Sequence, residues 1–523
     1  MSPRELPARP NLEHLKNQAR TLLDEALASD ASALARFSNA GVTDTPKLAD
    51  ALHVIAREYG FETWPKLKAH VEAASEDPVE ALASAIRAND GALVRTVLSR
   101  HGAVLKPLLN DPLPGLGFDA TAVVAASHRE NREMMDALLD AGADINSRSR
   151  WWAGGYGVLD ACGGEFAEYL LSRGAKLDAH AAARFGKIDA LRTMLAHDPQ
   201  LVHARGGDGQ LPLHFAATLE IAKLLLENGA EIDARDIDHE STAAQYMACF
   251  GRYESSPKDD RHEIVRYLLS RGAQPDILMA AAVGERALVE RLLNEDPDNA
   301  KFTASEKYFP KRDPKSGGCI YIYGFGITQT PHALARKFGH HEVFELLMQR
   351  SAPWLRLIQA AETGDEAMVR KVMEKHPGVV NRLPGNAAVR IVSTAIRNNT
   401  QAVELLIEAG WPTNPALPDN GQTALHYAAW HGNAAMVRVL LAKGAEVNRP
   451  ETQHGGNPLG WALHGSLNSW ERNKGDYPAV VRALVAAGAV LPKEQFPIEP
   501  PVELMKILAE HGLLSAESSR WLG

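Results

Sequence analysis

Cysteine is scarce in this sequence: 523 residues contain only Cys162, Cys249 and Cys319, and no C-x-x-C pair. This excludes a disulfide framework and a zinc ribbon, and it fits a reducing compartment. Lysine and arginine form no block and the net charge is −9, so no surface for a phosphate backbone is indicated. Neither a signal segment nor an apolar run of membrane-spanning length occurs. We therefore expect a cytoplasmic protein with no nucleic acid and no membrane among its partners.

Sequence signatures of catalysis are also missing. No H-E-x-x-H, P-loop, G-x-S-x-G or protein-kinase set occurs. His340 and His341 are adjacent, so on a helix they would point to different faces and make a poor metal pair. We predict no catalytic residue, no metal and no cofactor. Sequence alone leaves open an active site assembled in space from distant residues.

What the chain does contain is a repeated phrase of two apolar residues, a glycine, a small residue and then Asp or Asn. The apolar residues predict the buried face of a helix, and the glycine predicts the left-handed residue that ends it. Asp or Asn then suits the start of a turn. The phrase occurs as "LLDAGADIN" at 138, "LLSRGAKLD" at 170, "LLENGAEID" at 225, "LLSRGAQPD" at 268, "LIEAGWPTN" at 406, "LLAKGAEVN" at 440 and "LVAAGAVLP" at 484.

A second pattern precedes this phrase in several places, as in "LPLHFAA" at 211, "TPHALARKFG" at 330 and "TALHYAA" at 423. Threonine predicts the cap of a helix, and the small alanines let neighbouring helices approach closely. We interpret His214 and His426 as structural residues whose rings join neighbouring turns by hydrogen bonds.

Together the two patterns resemble the ankyrin repeat, a unit of about 33 residues with a T-P-L-H-x-A signature. The best copy is "GQTALHYAAWHGNAAMVRVLLAKGAEVN", and shortened copies such as "PDILMAAAVGERALVERLLNEDP" also recur. The chain resembles bacterial ankyrin-repeat proteins with degenerate repeats and an N-terminal helical cap. The resemblance implies an all-α fold, an ankyrin-like α-solenoid of about thirteen helix pairs with short β-hairpin fingers.

The predicted organisation has four parts: an N-terminal helical cap (1–75), a first half of repeats (76–300), an aromatic insertion (301–326) and a second half of repeats with a C-terminal cap (327–523). Leu440 and Leu441 are expected in the buried interface between neighbouring helix pairs. Leu441→Ala is then expected to cost about 2–5 kcal/mol.

Four insertions interrupt the repeat, and each is a candidate functional segment. They begin at Asn146, Gly251, Lys301 and Gly465. The Lys301 insertion contains "CIYIYGF", whose alternation predicts a strand or hairpin arm. Long loops are often functional, although repeat arrays also tolerate them because lengthening a loop costs little entropy.

The resemblance implies that the two residues after the "AA" of each first helix face a concave groove. We predict a non-catalytic scaffold that binds a protein or peptide partner through this groove and the aromatic insertions. The alternative is a small-molecule-binding protein or an enzyme of unknown reaction, with a pocket between the 301–326 insertion and the later repeats. The candidate residues are His128, Arg129, Arg184, Phe185, Lys337, Phe338, Arg397, Trp430, His431, Trp461 and His464, together with Tyr321 and Tyr323 from the insertion.

Overall fold

A computed structural model describes residues 4, 6, 12–42, 46–73, 77–249, 261–492 and 501–514. The chain divides into two compact units. The first is Met1–Gln274 with Lys311–Ile320, and the second is Pro275–Pro310 with Tyr321–Gly523. The predicted insertion 301–326 is therefore shared between the two units.

The first unit is built from helices that pack on their neighbours along the chain. Its first three helices share a core around Leu15, Phe37 and Ile55, and the fourth packs on the fifth. Short 3-10 turns, among them Gly207–Gly209 and Pro212–Phe215, connect later helices. The helices are α1 Leu12–Leu27, α2 Ala31–Asn39, α3 Leu48–Glu58, α4 Trp64–Ala73, α5 Pro78–Arg87, α6 Gly91–Leu105, α7 Ala122–Ser127, α8 Arg132–Asp140, α9 Gly164–Ser172, α10 Ala179–Arg184, α11 Ile188–His197, α12 Leu219–Glu227, α13 Ala243–Cys249 and α14 Arg261–Ser270.

The second unit repeats the same plan of short helix pairs, each packed on the next pair. The Thr330 side chain caps one of these helices as predicted, accepting a hydrogen bond from the Ala333 N–H at 3.1 Å. The helices are α15 Ile277–Val283, α16 Arg286–Glu295, α17 Tyr321–Gly324, α18 Pro331–Lys337, α19 His341–Arg350, α20 Pro353–Glu362, α21 Glu366–Lys375, α22 Arg390–Ile396, α23 Thr400–Glu408, α24 Ala424–Trp430, α25 Ala434–Ala442, α26 Pro458–Asn468, α27 Tyr477–Ala486 and α28 Val502–Glu510.

Glycine ends the helix in every copy of the repeated phrase, as predicted. Its φ lies between 80° and 101° at all seven positions. A residue with a β-carbon is strained in that region, so the seven glycines are required by the backbone. They are Gly142, Gly174, Gly229, Gly272, Gly410, Gly444 and Gly488.

The prediction that both paired apolar residues are buried holds for Leu406 and Ile407 and is wrong for Leu441. The first member of each pair is fully buried, including Leu225 and Leu440 at 0% exposure. Leu441 is only half-buried. Adjacent residues of a helix lie about 100° apart, so the second leucine turns away from the neighbouring pair. The expected cost of 2–5 kcal/mol therefore belongs to Leu440→Ala rather than to Leu441→Ala.

The strand predicted at "CIYIYGF" is also wrong. Tyr321–Gly324 is one helical turn, and the Phe325 N–H donates to the Tyr321 carbonyl at 3.0 Å. The Tyr321 and Phe325 rings stack with their centroids 4.8 Å apart, a side-chain pairing that helical spacing supplies and a strand does not. The β pairing seen in the described residues consists of isolated antiparallel bridges, Arg235 with Thr242 and Ala416 with Thr423. The β-hairpin fingers and the count of thirteen pairs stay predictions.

The predicted role of the two repeat histidines is confirmed. The Leu211 N–H donates to Nδ1 of His214 at 3.3 Å, and Nε2 of the same ring lies 3.1 Å from the Ser241 carbonyl. His426 is bonded alike, with the Thr423 N–H on Nδ1 and the Gly456 carbonyl at Nε2. Each imidazole therefore holds the start of its own helix to the turn of the next repeat. Within the described residues, none of the helices has the length and apolar content needed to cross a bilayer.

Candidate interaction site

Aromatic side chains gather at one place in the second unit, where α24 and α26 lie side by side. Tyr427 and Trp430 are three residues apart on α24, and Trp461 and His464 have the same spacing on α26. Residues three apart on a helix share a face, so each helix presents two rings to the other. Trp470, in the turn after α26, adds a fifth ring. We call these five residues the aromatic cluster.

The rings of the aromatic cluster are in direct contact. Trp430 is central: its ring centroid lies 5.5 Å from His464 in a stacked arrangement, 5.8 Å from Trp470 and 5.9 Å from Trp461. Tyr427 meets the Trp461 ring edge-on at 5.3 Å. Stacked and edge-on aromatic pairs add about 0.5–1.5 kcal/mol each beyond the area they bury. The cluster is therefore a preorganised apolar surface.

Trp470 is the exposed member of the aromatic cluster, with 65% of its surface accessible. The turn that carries it is fixed at both ends. The Ser469 N–H donates to the Gly465 carbonyl at 2.9 Å, and the Asp476 N–H donates to the Gly432 carbonyl at 2.9 Å. A large apolar side chain held in solvent by a fixed turn is typical of a residue that contacts a partner.

Glycine 465 makes the approach of the two helices possible. A β-carbon at this position would lie 2.4 Å from the Trp430 carbonyl oxygen, closer than any real contact. On the other side of the cluster, the Tyr477 hydroxyl donates to the same carbonyl at 2.8 Å. The absence of a side chain at Gly465 thus lets α26 bring Trp461 and His464 onto Trp430.

His431, predicted to face the groove, is instead buried, with 2% of its surface exposed. Its Nε2 lies 3.0 Å from the Ile396 carbonyl of the preceding repeat, and its ring meets Trp470 edge-on at 5.4 Å. Burial lowers the pKa of His431, and the Ile396 hydrogen bond opposes this only in part. The ring supports Trp470 from beneath, so the prediction of an exposed contact residue at His431 is wrong.

Tyr321 is likewise an interior residue, with 0% exposure, which corrects its prediction as a binding residue. Its ring contacts Phe309 and Phe325 at centroid distances of 5.1 and 4.8 Å, and its hydroxyl donates to Asp276 at 2.7 Å. Tyr323, two residues on, is 59% exposed. The buried Tyr321 side chain therefore cannot line the predicted pocket between the 301–326 insertion and the later repeats.

Arg184 and Phe185 in the first unit have structural contacts. The Arg184 guanidinium donates to the carbonyls of Leu159 and Cys162, at 3.4 and 3.1 Å, and lies 5.4 Å from the Phe185 ring centroid. The Arg184 side chain thus provides hydrogen bonds to main-chain carbonyls that follow the Asn146 insertion, because an arginine offers several donors in one plane.

His128 and Arg129 are half-buried. Burial, and then the charges of Arg129 and Arg184, lower the pKa of His128, whose ring meets Tyr156 edge-on at 6.3 Å. Arg129 donates to the Ala125 carbonyl at 2.8 Å and borders an open depression of about 460 Å³. That depression is lined by Asn89, Arg129, Glu130, Asn131, Arg132, Glu165 and Phe166, so it lies apart from the aromatic cluster.

Three predicted residues of the second unit complete the set. Lys337 is exposed, and its ammonium lies 5.6 Å from the centroid of the half-buried Phe338 ring. Arg397 forms an ion pair with the half-buried Glu362 and donates to the Thr328 carbonyl at 3.0 Å. An arginine engaged in this way holds the helices together and is not available to a partner.

The structure thus brings together Trp430, Trp461 and His464, and it adds Trp470 and Tyr427, which sequence analysis missed. Trp470 lies in the insertion that begins at Gly465. This interruption of the repeat is the sequence feature that could have identified Trp470 as a candidate. The insertion predicted at Gly251 lies almost wholly among residues outside the described ranges.

Short helix pairs joined by glycine-ended turns, with an imidazole between successive turns, define a helical repeat protein. The chain contains ankyrin repeats at residues 158–236, 179–278 and 357–451, the three ranges matched by a family model described as ankyrin repeats. The resemblance to the ankyrin repeat is thereby confirmed over these residues, and the bacterial type and the N-terminal helical cap stay predictions.

Curated relatives match parts of the chain. Ankyrin repeat and SAM domain-containing protein 6 of Rattus norvegicus is 31% identical over 91 residues, 17% of this chain and 10% of that protein. Ankyrin repeat and SOCS box protein 6 of Homo sapiens is 28% identical over 191 residues, 34% of this chain and 40% of that protein. The serine/threonine-protein kinase VIK of Arabidopsis thaliana is 46% identical over 50 residues, 9% and 11% of the two chains. The likeness therefore spans less than half of each relative.

Proposed function

We propose that this protein is a non-catalytic scaffold that binds a protein partner through the aromatic cluster. The observation that carries the proposal is Trp470, a tryptophan 65% exposed on a turn that backbone hydrogen bonds fix. Ankyrin repeats generally mediate interactions between proteins, which supports a protein as the ligand. Tryptophan is also among the residues that contribute most to binding energy at protein interfaces.

The partner segment would be apolar rather than strongly charged. The turn around Trp470 contains Glu471, Arg472, Lys474 and Asp476, whose charges cancel. The rings beneath Trp470 offer π-faces and few hydrogen-bond donors. An aliphatic or aromatic side chain of the partner, placed against Trp470 and His464, would bury this surface with little rearrangement, because the rings already support one another.

The test is partner capture with the full chain as bait, compared among the wild type and three variants. Trp470→Ala removes the exposed ring, and His464→Ala removes the ring stacked on Trp430. Tyr323→Ala is the matched control, since Tyr323 is 59% exposed in the same unit but is not a member of the cluster. A partner retained by the wild type and by Tyr323→Ala, and lost from Trp470→Ala, would support the proposal. Equal capture by all forms would contradict it.

A further inference from the structure

A second group of side chains in the first unit is arranged for a different ligand. Asp208, Asp238 and His239 each offer one potential ligand atom, and these atoms all lie within 4.8 Å of one another. Nε2 of His239 lies 3.8 Å from Oδ2 of Asp208 and 4.0 Å from Oδ2 of Asp238. We call these three residues the polar cluster.

Backbone hydrogen bonds between two turns bring the residues of the polar cluster together. Asp208 occupies the middle of the 3-10 turn Gly207–Gly209. Its carbonyl accepts hydrogen bonds from the N–H groups of Ile237 and Asp238, at 2.9 and 3.1 Å. Two successive inter-repeat turns are therefore bonded together, and this places the Asp208 carboxylate beside Asp238 and His239.

The segment Lys311–Ile320 supports the polar cluster from the outside. Nδ1 of His239 lies 3.0 Å from the Gly318 carbonyl, which can only accept a hydrogen bond, so Nδ1 carries a proton in this contact. The Gly317 N–H donates to Oδ1 of Asp238 at 3.0 Å. Histidine and carboxylate ligands of metal ions are held in place by hydrogen bonds of this kind, and the His239 contact turns Nε2 toward the carboxylates.

An independent observation concerns Asp208. The residue is 9% exposed, and its Oδ1 is buried without a hydrogen-bond partner in the described part of the chain. A buried carboxylate oxygen without a hydrogen-bond donor or a cation is costly. The phenol of Tyr156 and the indole N–H of Trp151 interact with the same carboxylate, so two donors also lie beside the cluster.

The spacing and the donor types fit a metal ion. Ligand atoms about 2.1 Å from one ion lie about 3.0–4.2 Å from each other, which covers both distances measured from His239. Two carboxylate oxygens with one imidazole nitrogen suit a divalent first-row transition metal better than Mg²⁺ or Ca²⁺, which prefer oxygen ligands alone.

We propose that Asp208, Asp238 and His239 bind a divalent transition-metal cation. The ion would join two successive repeat turns and, through the hydrogen bonds of Gly317 and Gly318, the segment Lys311–Ile320. Sequence analysis predicted no metal because the ligands come from separate turns and form no motif.

The test uses the full chain, stripped with a chelator and titrated with Zn²⁺ alone. We expect one equivalent to bind, and the melting temperature to rise with the Zn²⁺ concentration. Asp208→Asn, Asp238→Asn and His239→Gln should each weaken the affinity at least about tenfold. His341→Gln is the matched control, because this exposed histidine lies outside the polar cluster, and it should leave the affinity unchanged.

Two results would overturn the proposal. The first is no binding of Zn²⁺ by the stripped wild-type chain. The second is equal affinity of wild type, His239→Gln and His341→Gln, which would show adsorption to surface groups. Each variant is first melted in chelator to establish that it folds. Should one fail to fold, X-ray absorption of the Zn²⁺-loaded wild type decides: nitrogen or oxygen neighbours at about 2.0–2.2 Å with the outer-shell scattering of one imidazole support the site, and a sulfur neighbour contradicts it.

Discussion

Each unit contains a buried repeat histidine with the same structural role, and the units differ in the side chains that lie near it. His214 in the first unit and His426 in the second each hold a helix start to the next repeat turn. In the first unit that next turn carries Asp238 and His239 of the polar cluster, whereas in the second unit the next helix, α26, carries Trp461 and His464 of the aromatic cluster. The repeat therefore determines the scaffold, and its turns and insertions determine which side chains the scaffold presents.

The shared scaffold predicts equal losses of stability in the two units. Leu225 and Leu440 are both fully buried, so Leu225→Ala and Leu440→Ala should each lower the free energy of unfolding by about 2–5 kcal/mol. Chemical denaturation followed by circular dichroism measures this. The half-buried Leu441 is the matched position, and Leu441→Ala should cost less than about 2 kcal/mol. Equal costs at Leu440 and Leu441 would contradict the packing described above.

Gly465→Ala should disturb the aromatic cluster of the second unit and leave the first unit unchanged. The new β-carbon would have to push α26 away from Trp430, which costs about 1–3 kcal/mol of unfolding free energy and separates the stacked rings. Near-ultraviolet circular dichroism of the tryptophans should weaken in parallel. Gly102 is the control: a β-carbon there meets nothing within 4 Å, so Gly102→Ala should be neutral or slightly stabilising.

The buried histidines predict a loss of stability in acid. Burial lowers the pKa of His214 and of His426 to about 4, whereas an unfolded histidine has a pKa of about 6.5. The unfolded chain therefore binds the proton first. The stability from each neutral ring is complete above about pH 6.5 and falls by about 1.4 kcal/mol per pH unit as the pH drops toward 4. His214→Asn and His426→Asn should each remove the contribution of that one ring to the pH dependence, measured by denaturation at several pH values. His341→Asn is the control and should leave both contributions in place.

Asp236 opposes the loss of stability in acid in the first unit. Burial raises the pKa of its carboxyl to about 6, above the value of about 3.9 for an unfolded aspartate. Between pH 6 and 4 the folded state therefore gains protons at Asp236 that the unfolded state does not bind, so this group stabilises the fold as the pH falls. Asp236→Asn should steepen the acid loss, in contrast to His214→Asn. The same slope in Asp236→Asn and wild type would contradict the assignment.

The smallest effect on stability is expected at Trp470. Trp470→Ala removes a mostly exposed ring and its contacts with Trp430 and His431, and should lower the free energy of unfolding by about 1 kcal/mol. Its effect on partner binding should be large, as proposed above. A loss of stability as great as that of Leu440→Ala would show that Trp470 is a packing residue.

Sequence patterns predicted the parts of the fold that local backbone rules control. The helix-ending glycines and the roles of His214 and His426 follow from residue type and position within the repeat. The patterns failed where contacts between repeats decide: the second leucine at Leu441 turns away from the core, and His431 is buried under a ring from a later insertion. The same holds for the candidate site, since Trp430 and Trp461 were found individually, but their contact depends on how closely Gly465 lets α26 approach.

The segment Lys311–Ile320 has a consequence for how the chain is made. It belongs to the first unit, although thirty-six residues of the second, Pro275–Pro310, precede it in the sequence. During synthesis from the amino terminus, the turn with Asp238 and His239 therefore cannot form its hydrogen bonds with Gly317 and Gly318 until the segment up to Ile320 has been made. Ending the chain at Gln274 would leave the first unit without Gly317 and Gly318. A functional study of that unit thus has to keep the later segment.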